Sequence, residues 1–208
     1  MKALVMVDLQ NDFMPGGSLA VVDGDTTVPM ANWLAARFPL VVATQDWHPQ
    51  EHQSFAVNNP GRLVGDVINL NGCQQVMWPA HCVQNKFGAD FHPDLKQELI
   101  HKVFQKGMNA EIDSYSGFFD NNRLCPTGLE EWLKKKEVTD IYICGLATDY
   151  CVKFTALDAA SLGFKTWLVE DACRGVDLEP GDSARAIAEM QAAGIKIISS
   201  RELQMTMG

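Results

Sequence analysis

Three residues able to share an acyl transfer stand at the ends of apolar runs. Asp8 follows Val5-Met6-Val7, Lys106 follows Val103-Phe104-Gln105, and Cys151 lies shortly beyond Ile141-Tyr142-Ile143. A thiol attacks, a carboxylate takes and returns protons, and an ammonium supports both anions. Each residue also has a plain structural role. An Asp that closes a strand often serves only the turn, and cysteine packs as a small apolar side chain. The segment Cys144-Gly145-Leu146-Ala147-Thr148-Asp149-Tyr150-Cys151-Val152 reads as strand, tight turn and helix start. With Thr148 as the cap, Cys151 takes the third helical position and faces unpaired amides and the positive helix end. That position favours thiolate over thiol.

A second set is Thr44-Gln45-Asp46-Trp47-His48-Pro49, with Trp78-Pro79-Ala80-His81-Cys82 further on. Asp46 and His48 are two apart, so on extended backbone they point the same way. His81 from another loop completes a carboxylate and two imidazoles, a set suited to zinc, iron(II) or manganese. His52 is an alternative ligand, and by spacing alone surface histidines in a loop fit as well. Aromatic residues gather in the same stretches, including Phe13, Trp47, Phe55, Trp78, Tyr115, Phe118 and Phe119. They suit a flat apolar ligand or ordinary core packing.

The elements that must position these groups are legible. Strand-length apolar runs occur at Ala3–Val7, Leu40–Ala43, Lys102–Gln105, Ile141–Cys144, Thr166–Val169 and Ile195–Ile198. Most are continuous, as expected of strands covered on both faces. Helical patterns lie at Thr27–Phe38, Gly128–Lys136, Tyr150–Leu162 and Ser183–Ala193, and Gly163 and Gly194 stop the last two. The alternation predicts an α/β fold: a doubly wound, mainly parallel six-stranded sheet with helices on both faces. Such sheets do their chemistry at the carboxyl ends of the strands. Residues 45–91 and 108–127 show no clear period and are read as long loops that carry the site. With no linker or repeat, residues 1–208 are read as a single domain.

Formal net charge is -9, with 17 Lys and Arg against 26 Asp and Glu, which speaks against nucleic acid as a partner. No apolar run approaches the ~18 residues that span a bilayer. Asp8 interrupts the first apolar run too early for a signal peptide. Six scattered cysteines without a CxxC pair suit a reducing compartment. The expectation is a cytoplasmic protein away from membranes.

Taken together, the chain resembles the nicotinamidases (pyrazinamidases) of the isochorismatase-like cysteine hydrolase superfamily. The resemblance rests on Val7-Asp8-Leu9-Gln10-Asn11-Asp12-Phe13, Gly16-Gly17-Ser18-Leu19, the Thr44–Pro49 and Trp78–Val83 segments, Phe104-Gln105-Lys106-Gly107, Tyr115-Ser116-Gly117-Phe118 and Gly145–Val152. It implies that Asp8, Lys106 and Cys151 form a catalytic triad, and that Asp46, His48 and His81 hold one divalent metal ion (zinc, iron or manganese). The family's variable fourth metal-side position falls on Ser54, acting at most through water. The resemblance also implies a cis Leu146–Ala147 peptide and an oxyanion hole of the Ala147 and Cys151 amides. Phe13, Leu19, Trp78 and Tyr115 would line the ring pocket. The implied reaction is hydrolysis of nicotinamide, and of pyrazinamide, to the acid and ammonia through a thioester, as in NAD salvage. A homo-oligomer is left open. The competing readings are another Asp-Lys-Cys amide or carbamoyl hydrolase of the superfamily and a non-catalytic metal-stabilised scaffold.

Overall fold

Each of the six apolar runs folds as a strand, and all pair in parallel. The computed structural model describes residues 1–207. The strands are β1 (Lys2–Val7), β2 (Val41–Asp46), β5 (Lys102–Lys106), β6 (Asp140–Leu146), β7 (Lys165–Arg174) and β8 (Lys196–Ile198). Their order in the sheet is β5-β2-β1-β6-β7-β8. Every residue of β2 is buried, as is β1 after Lys2, which is why these strands read as unbroken apolar runs. Strand order reverses between β1 and β6, so a crevice opens beyond their carboxyl ends.

The helices are α1 (Thr27–Ala35), α2 (Leu129–Lys135), α3 (Lys153–Ser161), α4 (Asp182–Ala192) and α5 (Ser200–Met207). β1 leads through α1 to β2 on one side, and β6 leads through α3 to β7 on the other. Right-handed crossovers then put α1 and α3 on opposite faces. α2 carries Glu130 and Glu131 in its first turn and Lys134 and Lys135 in its last, matching the helix dipole. No helix among the described residues is long and apolar enough to cross a membrane.

Two elements depart from the sequence expectation. Within residues 45–91 a hairpin forms from β3 (Val67–Leu70) and β4 (Cys73–Val76). Its turn residues Asn71 and Gly72 both have positive φ, at 50° and 92°, which is what an Asn-Gly hairpin turn supplies. At the start of α3, Thr148 makes no cap. Thr148–Val152 is a π-helical turn with Ala147 in the N-cap position, closed by the Val152 amide on the Ala147 carbonyl at 3.1 Å. The Leu146–Ala147 peptide before it is cis.

Candidate active site

Register decides which strand ends meet. Asp46, the last residue of β2, pairs directly with Lys106, the last residue of β5. Asp8 follows β1 in the middle of the sheet, and Cys151 sits in the turn after β6. The Lys106 Nζ lies at their centre. It is 2.9 Å from Asp8 Oδ2 and 2.5 Å from Asp46 Oδ1, and donates to Cys151 Sγ at 3.3 Å and to the Ser114 carbonyl at 2.9 Å. Thr44 Oγ1 donates to Asp8 Oδ1 at 2.6 Å. All five side chains are buried.

Burial shapes their protonation. It pushes the Asp8 carboxyl up to about 6, even though Lys106 opposes it. Burial also acts against the charge on Lys106, but Asp46 and then Asp8 outweigh it and hold the ammonium well above its usual range. The Cys151 thiol is pushed well above its usual value, chiefly by burial, with Lys106 opposing. This corrects the thiolate expected from the helix start. Thr148 does not cap, and desolvation, with the Asp8 and Asp46 carboxylates adding to it, outweighs the one ammonium. Cys151 rests as a thiol beside a carboxylate able to take its proton.

Beyond Asp46 lies the second cluster. Asp46 Oδ1 faces Lys106, while Oδ2 lies 3.6 Å from His48 Nε2 and 3.8 Å from His81 Nε2. His48 Nδ1 meets the Gly107 carbonyl at 2.9 Å and His81 Nδ1 meets the Pro79 carbonyl at 2.8 Å. A carbonyl only accepts, so each Nδ1 carries its ring's proton. Both Nε2 lone pairs then face the carboxylate, an arrangement that fits a divalent cation. Burial works against ionisation of Asp46, but Lys106 and His48 hold it far below the usual range. His81 is driven down to about 4 by burial and by His48. For His48, burial is outweighed by Asp46, which raises it. A cation bound there competes with that proton. Gly107 is required here: its φ is +67°, and a Cβ would run into the His48 ring.

His52 and Ser54 are both fully buried and bonded to each other. His52 Nδ1 lies 2.7 Å from Ser54 Oγ and accepts from the Ser54 amide at 3.1 Å. Burial, then His48, lowers His52 to about 4. Ser54 Oγ is thus turned to His52. A third cluster joins His48, His52 and Asp113.

Between the Cys151 thiol and the His81 imidazole a pocket opens. Phe13, Leu19, Trp78 and Tyr115 all line it, together with Asp46, His81, Ala147 and Cys151. Trp78 Nε1 and Gln75 Nε2 both donate to the Tyr115 hydroxyl, at 3.1 and 3.0 Å. Other aromatics in these segments are packing. Phe55 is fully buried against the His48, His52 and His81 rings, and Phe118 stacks on Phe164.

The isochorismatase domain model matches residues 2–202. The chain belongs to the isochorismatase family. Within it, the chain is 48% identical to the nicotinamidase of Escherichia coli (strain K12), covering 100% of this chain and 99% of that one. A solved nicotinamidase/pyrazinamidase of Acinetobacter baumanii superposes with a TM-score of 0.94 at 48% identity, over 97% of both chains. A pyrazinamidase of Pyrococcus horikoshii, solved with zinc, gives a TM-score of 0.77 at 40% identity, over 95% of this chain and 98% of that one.

For this member of the isochorismatase family, reasoning from sequence missed Asp113, Tyr150 and Val176 on the pocket wall. Tyr150 lies inside the Gly145–Val152 motif, and Asp113 is two residues before Tyr115, so both had a nearby signal. Val176 had none. It is placed by Asp149, whose carboxylate accepts from the Val176 and Asp177 amides at 2.9 and 2.8 Å.

Proposed function

We infer that the chain is a nicotinamidase that hydrolyses nicotinamide to nicotinate and ammonia. One observation carries the reading. A buried ammonium lies within hydrogen-bonding distance of a carboxylate and of the Cys151 thiol, and that thiol lines an aromatic pocket together with Asp46 and His81. The closely related nicotinamidases support it.

In this reading Asp8 accepts the Cys151 proton as the sulfur attacks the carboxamide carbon, and Lys106 balances the anions that form. The Ala147 and Cys151 amides receive the developing oxyanion. Asp8 gives the proton to the nitrogen, the C–N bond breaks, and ammonia leaves a thioester. A water that loses its proton to Asp8 then attacks the thioester carbon. The C–S bond breaks, nicotinate leaves, and the thiol is restored. Phe13, Leu19, Trp78 and Tyr115 hold the ring flat. Asp46, His48 and His81 would hold one divalent ion (zinc, iron or manganese). Such an ion supplies a Lewis-acid partner for the pyridine nitrogen. Pyrazinamide, which keeps that nitrogen and the carboxamide, is a second substrate.

The reading takes residues 1–208 as one domain. Its cytoplasmic setting is supported by six unpaired cysteines. The test is ammonia release from nicotinamide with and without chelator. Release that chelation abolishes and zinc restores supports it. No release from nicotinamide, with turnover of a ureido compound, would transfer the site to the carbamoyl-hydrolase reading.

A further inference from the structure

His52 was an alternative ligand by sequence, and its surroundings assign it another role. The Ser54 amide donates to His52 Nδ1 at 3.1 Å. A backbone N–H cannot reverse its direction, so Nδ1 bears a lone pair and the neutral ring carries its proton on Nε2. A flipped ring would set carbon against that amide. The backbone is pinned as well: the His52 carbonyl accepts from Asn58 Nδ2 at 2.9 Å and the His52 amide donates to Pro49 at 3.0 Å.

The Nε2–H is therefore a fixed donor. It is also buried, and it has no partner among the described residues. The other such atom, Asp8 Oδ2, has the Lys106 ammonium 2.9 Å away. A buried donor left unpaired bears its full desolvation penalty, so an isolated Nε2–H without function is a poor arrangement. His48, His52 and Asp113 bring one ligand-type atom each within 4.8 Å of one another. With Nδ1 committed to Ser54, Nε2 is the nitrogen His52 has left to offer. Asp113 already accepts from the Ser114 amide at 2.8 Å and from Gln75 Nε2 at 3.1 Å, and retains lone pairs.

We propose that His52 is a positioning residue whose Nε2–H holds an oxygen of the cation's water shell, shared with the Asp113 carboxylate, and that it is not itself a ligand. This rests on the assignment of Asp46, His48 and His81 as the cation's ligands. A nitrogen that carries a proton has no lone pair for a metal, whereas a donor beside an open coordination position fixes what fills it. Ser54 then sets the His52 tautomer and, among the described residues, forms no hydrogen bond to Asp46, His48 or His81.

The test uses the full-length protein with ¹⁵N-labelled histidine. In metal-free protein, His52 should show Nε2 protonated and Nδ1 unprotonated. After loading with ¹¹³Cd²⁺, one-bond ¹¹³Cd–¹⁵N coupling should occur at His48 and His81 and be absent at His52. Coupling at His52, or a proton on its Nδ1, overturns the proposal. If His48 and His81 show no coupling either, the ligand assignment falls, and the water-shell role falls with it. Two variants give an independent readout. His52→Asn keeps an acceptor for the Ser54 amide but loses the distal donor, so zinc should bind roughly 10–100-fold more weakly. His52→Gln can restore a donor near the Nε2 position and should bind zinc more tightly than His52→Asn. Native zinc affinity in a folded His52→Asn protein would refute the donor role.

Discussion

At the scale of the single residue, the site works by burial more than by exposure of a reactive group. Cys151 rests as a thiol because desolvation outweighs the nearby ammonium. In the proposed mechanism it is the nucleophile and relies on Asp8, so Cys151→Ala should lower kcat by about four to six orders of magnitude while the fold survives. Steady-state ammonia release and a thermal melt check this. Turnover within about tenfold of the parent would exclude the covalent route. Asp8 sits at about 6, and as the proposed base it must be ionised. The kcat/KM profile should therefore fall on the acid side near that value and stay level through neutral pH. Thr44 stabilises the ionised form through its bond to Asp8 Oδ1. Removing that bond in Thr44→Val raises the Asp8 value further, and the acid limb should move to higher pH. An unmoved limb would mean that another group sets it.

At the scale of the element, two glycines let strands and loops approach closely enough to build the site. Gly145 lies where β1 and β6 pair, with a φ of +120°, and a Cβ there would collide with the Val7 backbone. Gly145→Ala should cost about 2–4 kcal/mol through strain and overpacking. In a chain of this length that lowers Tm by on the order of 10 °C, readable by calorimetry. Gly107 follows β5 and shapes the second cluster instead. A Cβ at Gly107 displaces the His48 ring from the Gly107 carbonyl, so Gly107→Ala should weaken zinc binding by roughly 10–100-fold. Titration calorimetry separates this from a general loss of fold, which would reduce the enthalpy of the thermal transition as well.

Across the whole molecule, the pocket draws on both halves of the sheet. Phe13 and Asp46 come from one side of the strand-order reversal, Cys151 and Val176 from the other. Asp46, His48 and His81 come together only in the folded chain, so a cation they hold as proposed would favour it over the unfolded one. Zinc at about a hundred times its Kd should then add ~2.7 kcal/mol of stability. Chelation should reverse the rise in Tm, and Asp46→Ala should abolish it. The aromatic walls by themselves accept any flat ring, but the imidazole side is built around a polar partner. Benzamide, which lacks the ring nitrogen, should therefore have a kcat/KM roughly two or more orders of magnitude below that of nicotinamide. Equal values would replace this reading with a general amidase.

The sequence by itself determined the sheet and where its chemistry would stand. Buried parallel strands are continuous apolar runs, and Asp8, Lys106 and Cys151 each lie next to one, so their places at the strand ends were local facts. The Asp46-x-His48 and Trp78–Val83 segments were equally local. Other features came only with the tertiary structure. The β3–β4 strands are short and mixed in polarity, so only the Asn71-Gly72 pair hinted at them. Val176 reaches the pocket through an Asp149 carboxylate 27 residues away in the chain. The charge state of Cys151 and the tautomer of His52 depend on what surrounds each group on every side. Periodicity and spacing report one element at a time. Desolvation and hydrogen-bond direction are set by neighbours far apart in sequence, and exist only once the elements have packed.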